Sequence, residues 1–366
     1  MIDSISIENF RCFDKLKIKG FKSINLIGGQ NNSGKTALLE ALLLAFKPSG
    51  NTIDNLRLFR NENGNQIRKN NGKVWNYFFY NQDKSQTIKI VTTYDGKDST
   101  NLELWCTNDV EAVLQSLSKI LGNGNETKYE SMLRNFSNNS LLNVRGSNLV
   151  KDFNYFIIPN KEKGDLDYIG NVQVIYSDSQ SFLPSSRRTP DDYLAELYSL
   201  TKENKKIKIL NEILNILDNR IIGSEIDAPG GEPVIKLLLN DSESFPLAMF
   251  GDAVRKITEL ILILLNTSSK VLFIDEIENG IHFTKHKELW TKLFQIVGND
   301  IQIFATTHSF EMIKAFNDVA HQSEFEDKAM YFEMARTQKT HRLITNPIDM
   351  EMLKYKISFD RTFRGE

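Results

Sequence analysis

The sequence predicts an α/β fold with a mixed central sheet, an antiparallel β arm and a helical insertion, and three well-separated segments predict it. In the first, the apolar strand Ile24-Asn25-Leu26-Ile27 runs into a glycine-rich loop from Gly28 to Thr36. A helix carrying Ala37, Leu38, Leu39, Ala41, Leu42 and Leu43 follows. In the second, Val271-Leu272-Phe273-Ile274 is a continuous apolar run that ends in Asp275 and Glu276. A strand covered on both faces needs no alternation of polar and apolar residues, so such runs read as central strands. In the third, Ile301 to Thr307 repeats the pattern and ends at His308-Ser309. Open α/β sheets bind ligands at the C-terminal ends of their strands, which makes these three strand ends the place to look for chemistry.

Taken in order, Ser4 to Phe10 and Lys15 to Ile18 predict short strands ahead of the Ile24 strand. Arg11 and Phe13 lie between them. Planar cations and aromatic rings stack on bases, so these two residues either approach an adenine or pack the first hairpin. In the loop that follows, Gly29, Gly34, Lys35 and Thr36 satisfy G-x-x-x-x-G-K-[ST] in the strand–loop–helix setting that the phosphate-loop pattern requires. Glycines let backbone N–H groups converge on phosphate oxygens, the helix N-terminus favours an anion, and a lysine adds a mobile point charge. Gly29, Asn31, Asn32, Ser33, Gly34, Lys35, Thr36 and Ala37 are therefore the expected ATP-binding residues. The Thr36 hydroxyl is expected on magnesium.

The helix is expected to end near Pro48-Ser49-Gly50. Asn61 to Asn65 and Lys69 to Lys73 then read as loops. Trp75 to Tyr80, Thr87 to Tyr94 and Asn101 to Cys106 read as an antiparallel arm, its aromatic cluster serving the core in preference to a partner. Val110 to Leu121 predicts a helix, broken at Gly122-Asn123-Gly124-Asn125, and Glu126 to Asn160 is expected to hold another helix and variable loops. Val172 to Tyr176 returns to strand, and Pro190 to Leu217 is helical. Gln180 reads as a loop glutamine in preference to a sensor of magnesium and water. Arg187 and Arg188 meet a phosphate or a partner's carboxylates, or simply lie in a solvated loop.

Asp275, at its strand end, is expected to hold magnesium opposite Thr36. Glu276 is expected to orient or deprotonate the water that attacks the γ-phosphate, because phosphoryl transfer mostly requires positioning and charge compensation. At the next strand end His308 is placed to hydrogen-bond the γ-phosphate or that water. Glu276, His308 and Lys35 thus form the expected catalytic set. Glu278, His282 and His286 have a spacing that suits a transition metal, but a helix start carrying a subunit contact is preferred. Gly251, ahead of the apolar helix Val254 to Leu265, either offers backbone donors to an anion or merely begins a buried helix.

Composition narrows the class. At 366 residues with 40% hydrophobic and 25% charged side chains, the chain supports one large or two ordinary domains and argues against wholesale disorder. A net charge of −2 gives no global attraction to nucleic acid or anionic membrane. Cys12 and Cys106 stand alone, which leaves disulfide scaffolds, zinc ribbons and zinc hooks unsupported and fits a cytoplasmic setting. Met1 to Ile5 carries no signal pattern, and the apolar run Ile257 to Leu265 is too short to span a bilayer.

Several motifs together resemble the ABC-type P-loop ATPase heads of the RecF, SMC and OLD families, and most closely the stand-alone AAA-type ATPases of bacterial defence loci, such as those of PARIS-type antiphage systems. They are Glu8-Asn9-Phe10-Arg11-Cys12-Phe13, the phosphate loop, Phe182-Leu183-Pro184, Met249-Phe250-Gly251-Asp252, Ile274-Asp275-Glu276-Ile277-Glu278-Asn279-Gly280-Ile281-His282 and Ala305-Thr306-Thr307-His308-Ser309. The resemblance implies a core built from 1–49 and 246–366, an insertion at 50–171 and a helical lobe at 172–245. It implies a homodimer or higher homo-oligomer, with ATP sandwiched between one subunit's phosphate loop and the other's signature segment, here Met249 to Ala253. That segment has no serine, and Ala253 stands where relatives carry glycine, so slow, switch-like hydrolysis is expected. The stretch after His308 is too short for a TOPRIM nuclease domain, so a nuclease effector is expected to be a separate polypeptide. The resemblance also makes a phage-encoded trigger conceivable. A RecF-like DNA-repair ATPase and an ATP-binding scaffold without useful hydrolysis are the rival readings.

Overall fold

The computed structural model describes residues 1–121, 141–147, 152–170, 181–185, 188–240, 243–267, 270–298, 300–322, 325–338 and 342–359. The expected strand Val172 to Tyr176, Gln180 and Arg187 lie outside them. Two compact units emerge. One comprises Met1–Phe21, Asn32–Asp178 and Met334–Thr345, the other Lys22–Asn31, Ser179–Glu333 and Asn346–Glu366. Among the described residues no helix is long and apolar enough to cross a membrane.

In the first unit, β1 (Ile2–Phe10) and β2 (Phe13–Lys19) form an antiparallel hairpin closed at Phe10 and Phe13, with Arg11 in the left-handed region at φ 53°. Strand β3 (Ile24–Gly29) belongs to the other unit. The hairpin continues through β4 (Ile88–Tyr94), β5 (Asp98–Thr107), β6 (Leu141–Ser147), β7 (Asp152–Asn160) and β8 (Asp165–Gly170) into one antiparallel sheet of order β2-β1-β4-β5-β6-β7-β8. The expected arm is thus the middle of a larger sheet. Helix α1 (Lys35–Phe46) is apolar on nearly every side and packs on β1, β4 and β5; a helix of that character must be enclosed.

Three expectations need correction here. Gly64–Asn70 is a short helix, α3, and follows another, α2 (Gly50–Leu58). Asn and Gly disfavour helix, yet Ile67 is buried and a Cβ on Gly64 would overlap the Gly164 carbonyl, so tertiary packing overrides propensity. Within Glu126 to Asn160, the expected helix can fall at 126–140, outside the described residues, while the described residues beyond 140 are the strands β6 and β7 in place of variable loops. Trp75 to Tyr80 forms short 3-10 turns with Trp75, Phe78 and Phe79 buried, so the cluster is core but not strand. Helix α4 (Val110–Leu121) forms as predicted.

Arg11 is drawn into this unit's interior. Its Nε donates to Glu40 at 2.9 Å, Nη1 donates to the Tyr77 carbonyl at 2.9 Å, and the guanidinium lies 4.4 Å from the centre of the Phe78 ring. Glu40 is wholly buried and also accepts from Arg60 Nε at 2.8 Å. Phe13 is buried as well. Both residues therefore pack the hairpin, the cation being held by a carboxylate and a ring. Arg11→Ala would leave a buried carboxylate half-compensated, and breaking such a pair typically costs about 3–5 kcal/mol. Urea denaturation of the variant is expected to show a loss of that order, whereas Lys15→Ala, which removes an exposed partner of Glu8, should change little.

The second unit contains β9 (Phe182–Leu183), β10 (Ile221–Asp227), β11 (Val234–Leu239), β12 (Ser244–Pro246), β13 (Val271–Ile274) and β14 (Gln302–Thr306), together with the first part of β15 (Ala329–Arg336) and the last part of β16 (Leu343–Ile348). Its mixed sheet has the order β16-β15-β3-β14-β13-β9, with β3, β14, β13 and β9 mutually parallel. All residues of β13 and β14 are buried, and Phe273 stacks on Phe304 at 5.5 Å. Parallel register aligns their ends: Thr306 faces Ile27, Ala305 faces Ile274, and Ile274 faces Leu183. The helices are α5 (Asp191–Glu203), α6 (Ile207–Leu217), α7 (Asp252–Asn266), α8 (His286–Val297), α9 (Phe310–Ala320) and α10 (Met350–Phe359). The helical region predicted from Pro190 to Leu217 is thus two helices, parted where Lys205 turns left-handed at φ 57°.

Candidate active site

The phosphate loop leaves the C-terminal end of β3. Gly28 tolerates no side chain, because a Cβ there would overlap the hydroxyl of buried Tyr331. Gly28→Ala is expected to destabilise the protein by about 1–3 kcal/mol, the usual range for overpacking, read as a lower denaturation midpoint. At the other end of the loop Gly34 has φ 91° and serves as the N-cap of α1 without offering a side-chain acceptor. Its own missing Cβ would meet Leu343 Cδ1 at 3.0 Å and Cys12 Sγ at 3.1 Å. Asn31 and Asn32 are exposed, Lys35 and Ala37 are buried, and Thr36 is half-buried. Ser33 is buried too, and its hydroxyl has no hydrogen-bond partner in the protein. Leaving a buried hydroxyl unpaired is costly, and an anion held by the loop would relieve it.

The acidic turn follows β13. Asp275 is 5% exposed; its Oδ1 accepts from the Thr306 hydroxyl at 2.7 Å and its Oδ2 from the Ser185 hydroxyl at 3.3 Å. Glu276 is left-handed at φ 50°, its N–H donates to Thr306 Oγ1 at 2.8 Å, and its Oε2 accepts from Asn279 Nδ2 at 2.7 Å. One threonine at the end of β14 thus fixes both acids. Lys256, from α7, donates to the carbonyls of Glu276 at 2.6 Å and Asp275 at 3.2 Å. Burial pulls its pKa down, while the carboxylates of Glu278, Asp275 and Glu276 act the other way. Next in the turn, Glu278 Oε1 accepts from the His308 backbone N–H at 2.7 Å and lies 3.0 Å from His308 Nδ1.

Beside this turn begins α7. Gly251 is its N-cap, is exposed and has open space around it, and Met249 just before it is 73% exposed. Arg188 pairs with Asp252 of its own chain, and both side chains are exposed. Gly280, at φ 80°, abuts Ala253, where a Cβ would come within 3.0 Å of the backbone nitrogen. A cavity of about 410 Å³ lies here, lined in part by Ser185, Lys256, Asn279 and Gly280. His286 does not turn toward a metal with Glu278 and His282: its Nε2 is engaged by the Ile281 carbonyl at 3.1 Å, and His282 Nδ1 by the Thr284 hydroxyl at 2.9 Å. Among the described residues no group of three or more His, Cys, Asp or Glu side chains is placed to hold a metal ion.

A family model described as "AAA domain, putative AbiEii toxin, Type IV TA system" matches residues 24–313, from the start of β3 into α9. The chain belongs to this AAA-domain family. Over 91% of its length this AAA-domain chain is 29% identical to an ATP/GTP phosphatase of Helicobacter pylori, covering 92% of that protein. A 44-residue stretch, 12% of the chain, is 48% identical to an uncharacterized protein of Methanocaldococcus jannaschii and covers 20% of it. Among solved structures, an SMC head bound to the C-winged helix domain of ScpA aligns with 97% of the chain and 99% of its own, at TM-score 0.52 and 11% identity. An SMC head with an extended coiled coil, bound to the C-terminal domain of ScpA derived from Pyrococcus furiosus, aligns with 98% of each chain at TM-score 0.51 and 11% identity. At that identity the likeness is one of fold, and the fold is the predicted one.

Motif reading of this AAA-domain chain misses Ser185, Lys256 and Asn279. Asn279 follows the acidic strand end in sequence, which was a usable signal, whereas Ser185 reaches Asp275 only through the pairing of β9 with β13. Lys256 reads as an ordinary helix lysine, and nothing in its neighbours announces the acids it approaches.

Proposed function

We propose that this chain binds magnesium-ATP at the C-terminal ends of β3, β14 and β13 and hydrolyses it slowly as a switch. The observation that carries this is the register: β14 lies between the strand that delivers the phosphate loop and the strand that delivers Asp275 and Glu276. Backbone donors from Gly29 to Ala37 and the charge of Lys35 hold the phosphates. Asp275 accepts hydroxyl hydrogen bonds from Thr306 and Ser185, and its carboxylate is the kind of oxygen ligand that a hard cation prefers, as is the Thr36 hydroxyl. Magnesium, when bound, offsets charge on the phosphate oxygens. Asn279 holds Glu276 Oε2, which leaves Oε1 to take a proton from the attacking water, and His308 contacts that water or the γ-phosphate. The naming of the Helicobacter pylori relative as an ATP/GTP phosphatase supports the reaction.

The open N-terminus of α7 at Gly251 is the surface that would meet nucleotide held by a second copy, giving an ATP-dependent homodimer or higher oligomer. The toxin–antitoxin wording of the family and the resemblance to PARIS-type ATPases support a role in bacterial antiphage defence, in the cytoplasm, restraining and releasing a separate effector such as a TOPRIM nuclease. The test is phosphate release from ATP with magnesium, together with mass measurement of the chain with and without ATP and with its neighbouring gene product. Multiple turnover and an ATP-dependent increase in mass are expected. No turnover would refute hydrolysis, and tight ATP-dependent DNA binding with a steep salt slope would favour the repair reading.

A further inference from the structure

The geometry points to Glu278 as the residue that positions His308, a role that rests on the hydrolytic reading above. Glu278 is 9% exposed, lies in the turn after β13, and uses one oxygen to accept from the backbone N–H of His308, with the ring Nδ1 3.0 Å from that same oxygen. A carboxylate has no proton to give, so Nδ1 carries the ring proton. The group facing one imidazole nitrogen decides the state of the other, and a carboxylate oxygen 3.0 Å from Nδ1 leaves Nε2 as the nitrogen with an open lone pair on a side chain that is 46% exposed. Flipping the ring would set a carbon against the carboxylate and forfeit the contact. The orientation is therefore fixed as well as the tautomer.

The backbone that carries this carboxylate is itself held in place. The Glu278 carbonyl accepts from Ile281 N–H at 2.9 Å, and the Ile281 carbonyl is engaged by His286 of α8. The turn that carries the acids is thereby pinned to the helix behind it. A purely structural role, capping the chain as it leaves β14, would need only the backbone contact at 2.7 Å. The second contact, at Nδ1, is what a cap does not require. It ties the side chain at the end of β14 to the turn that also bears Glu276, so the two groups nearest the chemistry share one support.

Two measurements on the full-length chain test this. In the first, long-range 1H–15N correlation spectra of 15N-histidine-labelled protein report the His308 tautomer, with the signal assigned by its loss in His308→Asn. The wild type is expected to show protonated Nδ1 and unprotonated Nε2, Glu278→Gln to keep that pattern because an amide oxygen still accepts, and Glu278→Ala to lose it. In the second, Glu278→Ala is expected to lower kcat about tenfold or more with the KM for ATP within about twofold, to be partly rescued in Glu278→Gln, and to add no further loss in a His308→Ala background. A wild-type His308 protonated at Nε2 would overturn the assignment without any variant, which keeps the test decisive if Glu278→Ala fails to fold. Equal losses from Glu278→Ala with and without His308 would also overturn it. If the wild type does not hydrolyse ATP, the function proposed above fails, while the tautomer still decides the Glu278–His308 pairing.

Discussion

Glu276→Gln is expected to slow ATP turnover by about 10²- to 10⁴-fold, the range associated with a positioned general base, while ATP remains bound. The substitution keeps the shape of the side chain and leaves an amide oxygen facing Asn279 Nδ2, so the left-handed turn at φ 50° and its bond to Thr306 should persist. It removes only the capacity to take a proton from water. The magnesium that the proposed function assigns to the adjacent Asp275 would be unaffected by the change, so the variant should accumulate the ATP-bound state, and any ATP-dependent assembly should become long-lived. Single-turnover phosphate release and filter retention of labelled ATP separate the two effects. A variant that turns over like the wild type would remove Glu276 from the reaction.

Lys35→Ala is expected to abolish turnover through a different route, by weakening the hold on the phosphates, with a loss of about 10²- to 10³-fold, as for removal of one preorganised positive donor. Lys35 opens α1 and is buried at the end of the phosphate loop. Replacing it by alanine leaves the helix intact, because alanine is the strongest helix former. The variant should therefore fold, show a raised KM for ATP as well as a lowered kcat, and fail to accumulate the ATP state that Glu276→Gln traps. Nucleotide titration by calorimetry distinguishes them. Equal ATP affinity in Lys35→Ala and wild type would contradict the assignment of the loop.

What the sequence made legible follows from how local each signal is. The strand, loop and helix at 24–46, the apolar strand before Asp275 and the one before His308 were all readable, because continuous burial and a glycine-framed loop are written in adjacent residues. The helix at Gly64–Asn70 was not, since its stability comes from Ile67 and from the close approach of Gly164, almost a hundred residues away. Nor was the break at Lys205, which interrupts a run of good helix formers with no glycine or proline to mark it. The placement of β4 and β5 within a seven-stranded sheet depends on pairing with β1 and β6, which no local pattern specifies. The same limit applies at the site. Asp275, Glu276 and His308 announce themselves by position, but the single hydroxyl of Thr306 that serves both acids, and the carboxylate of Glu278 that serves His308, appear only when two strand ends are set side by side.

The account rests on the phosphate loop and the acidic turn acting on one nucleotide and one cation. The most direct measurement is the affinity of the magnesium complex of a slowly hydrolysed ATP analogue for the wild type, Thr36→Ala, Asp275→Asn and the double variant. If Thr36 and Asp275 ligate the same ion, each single change weakens binding and the double variant binds little worse than the weaker single one, a coupling that neighbouring groups show and distant ones do not. Fully additive losses, or an Asp275→Asn affinity equal to that of the wild type, would contradict it.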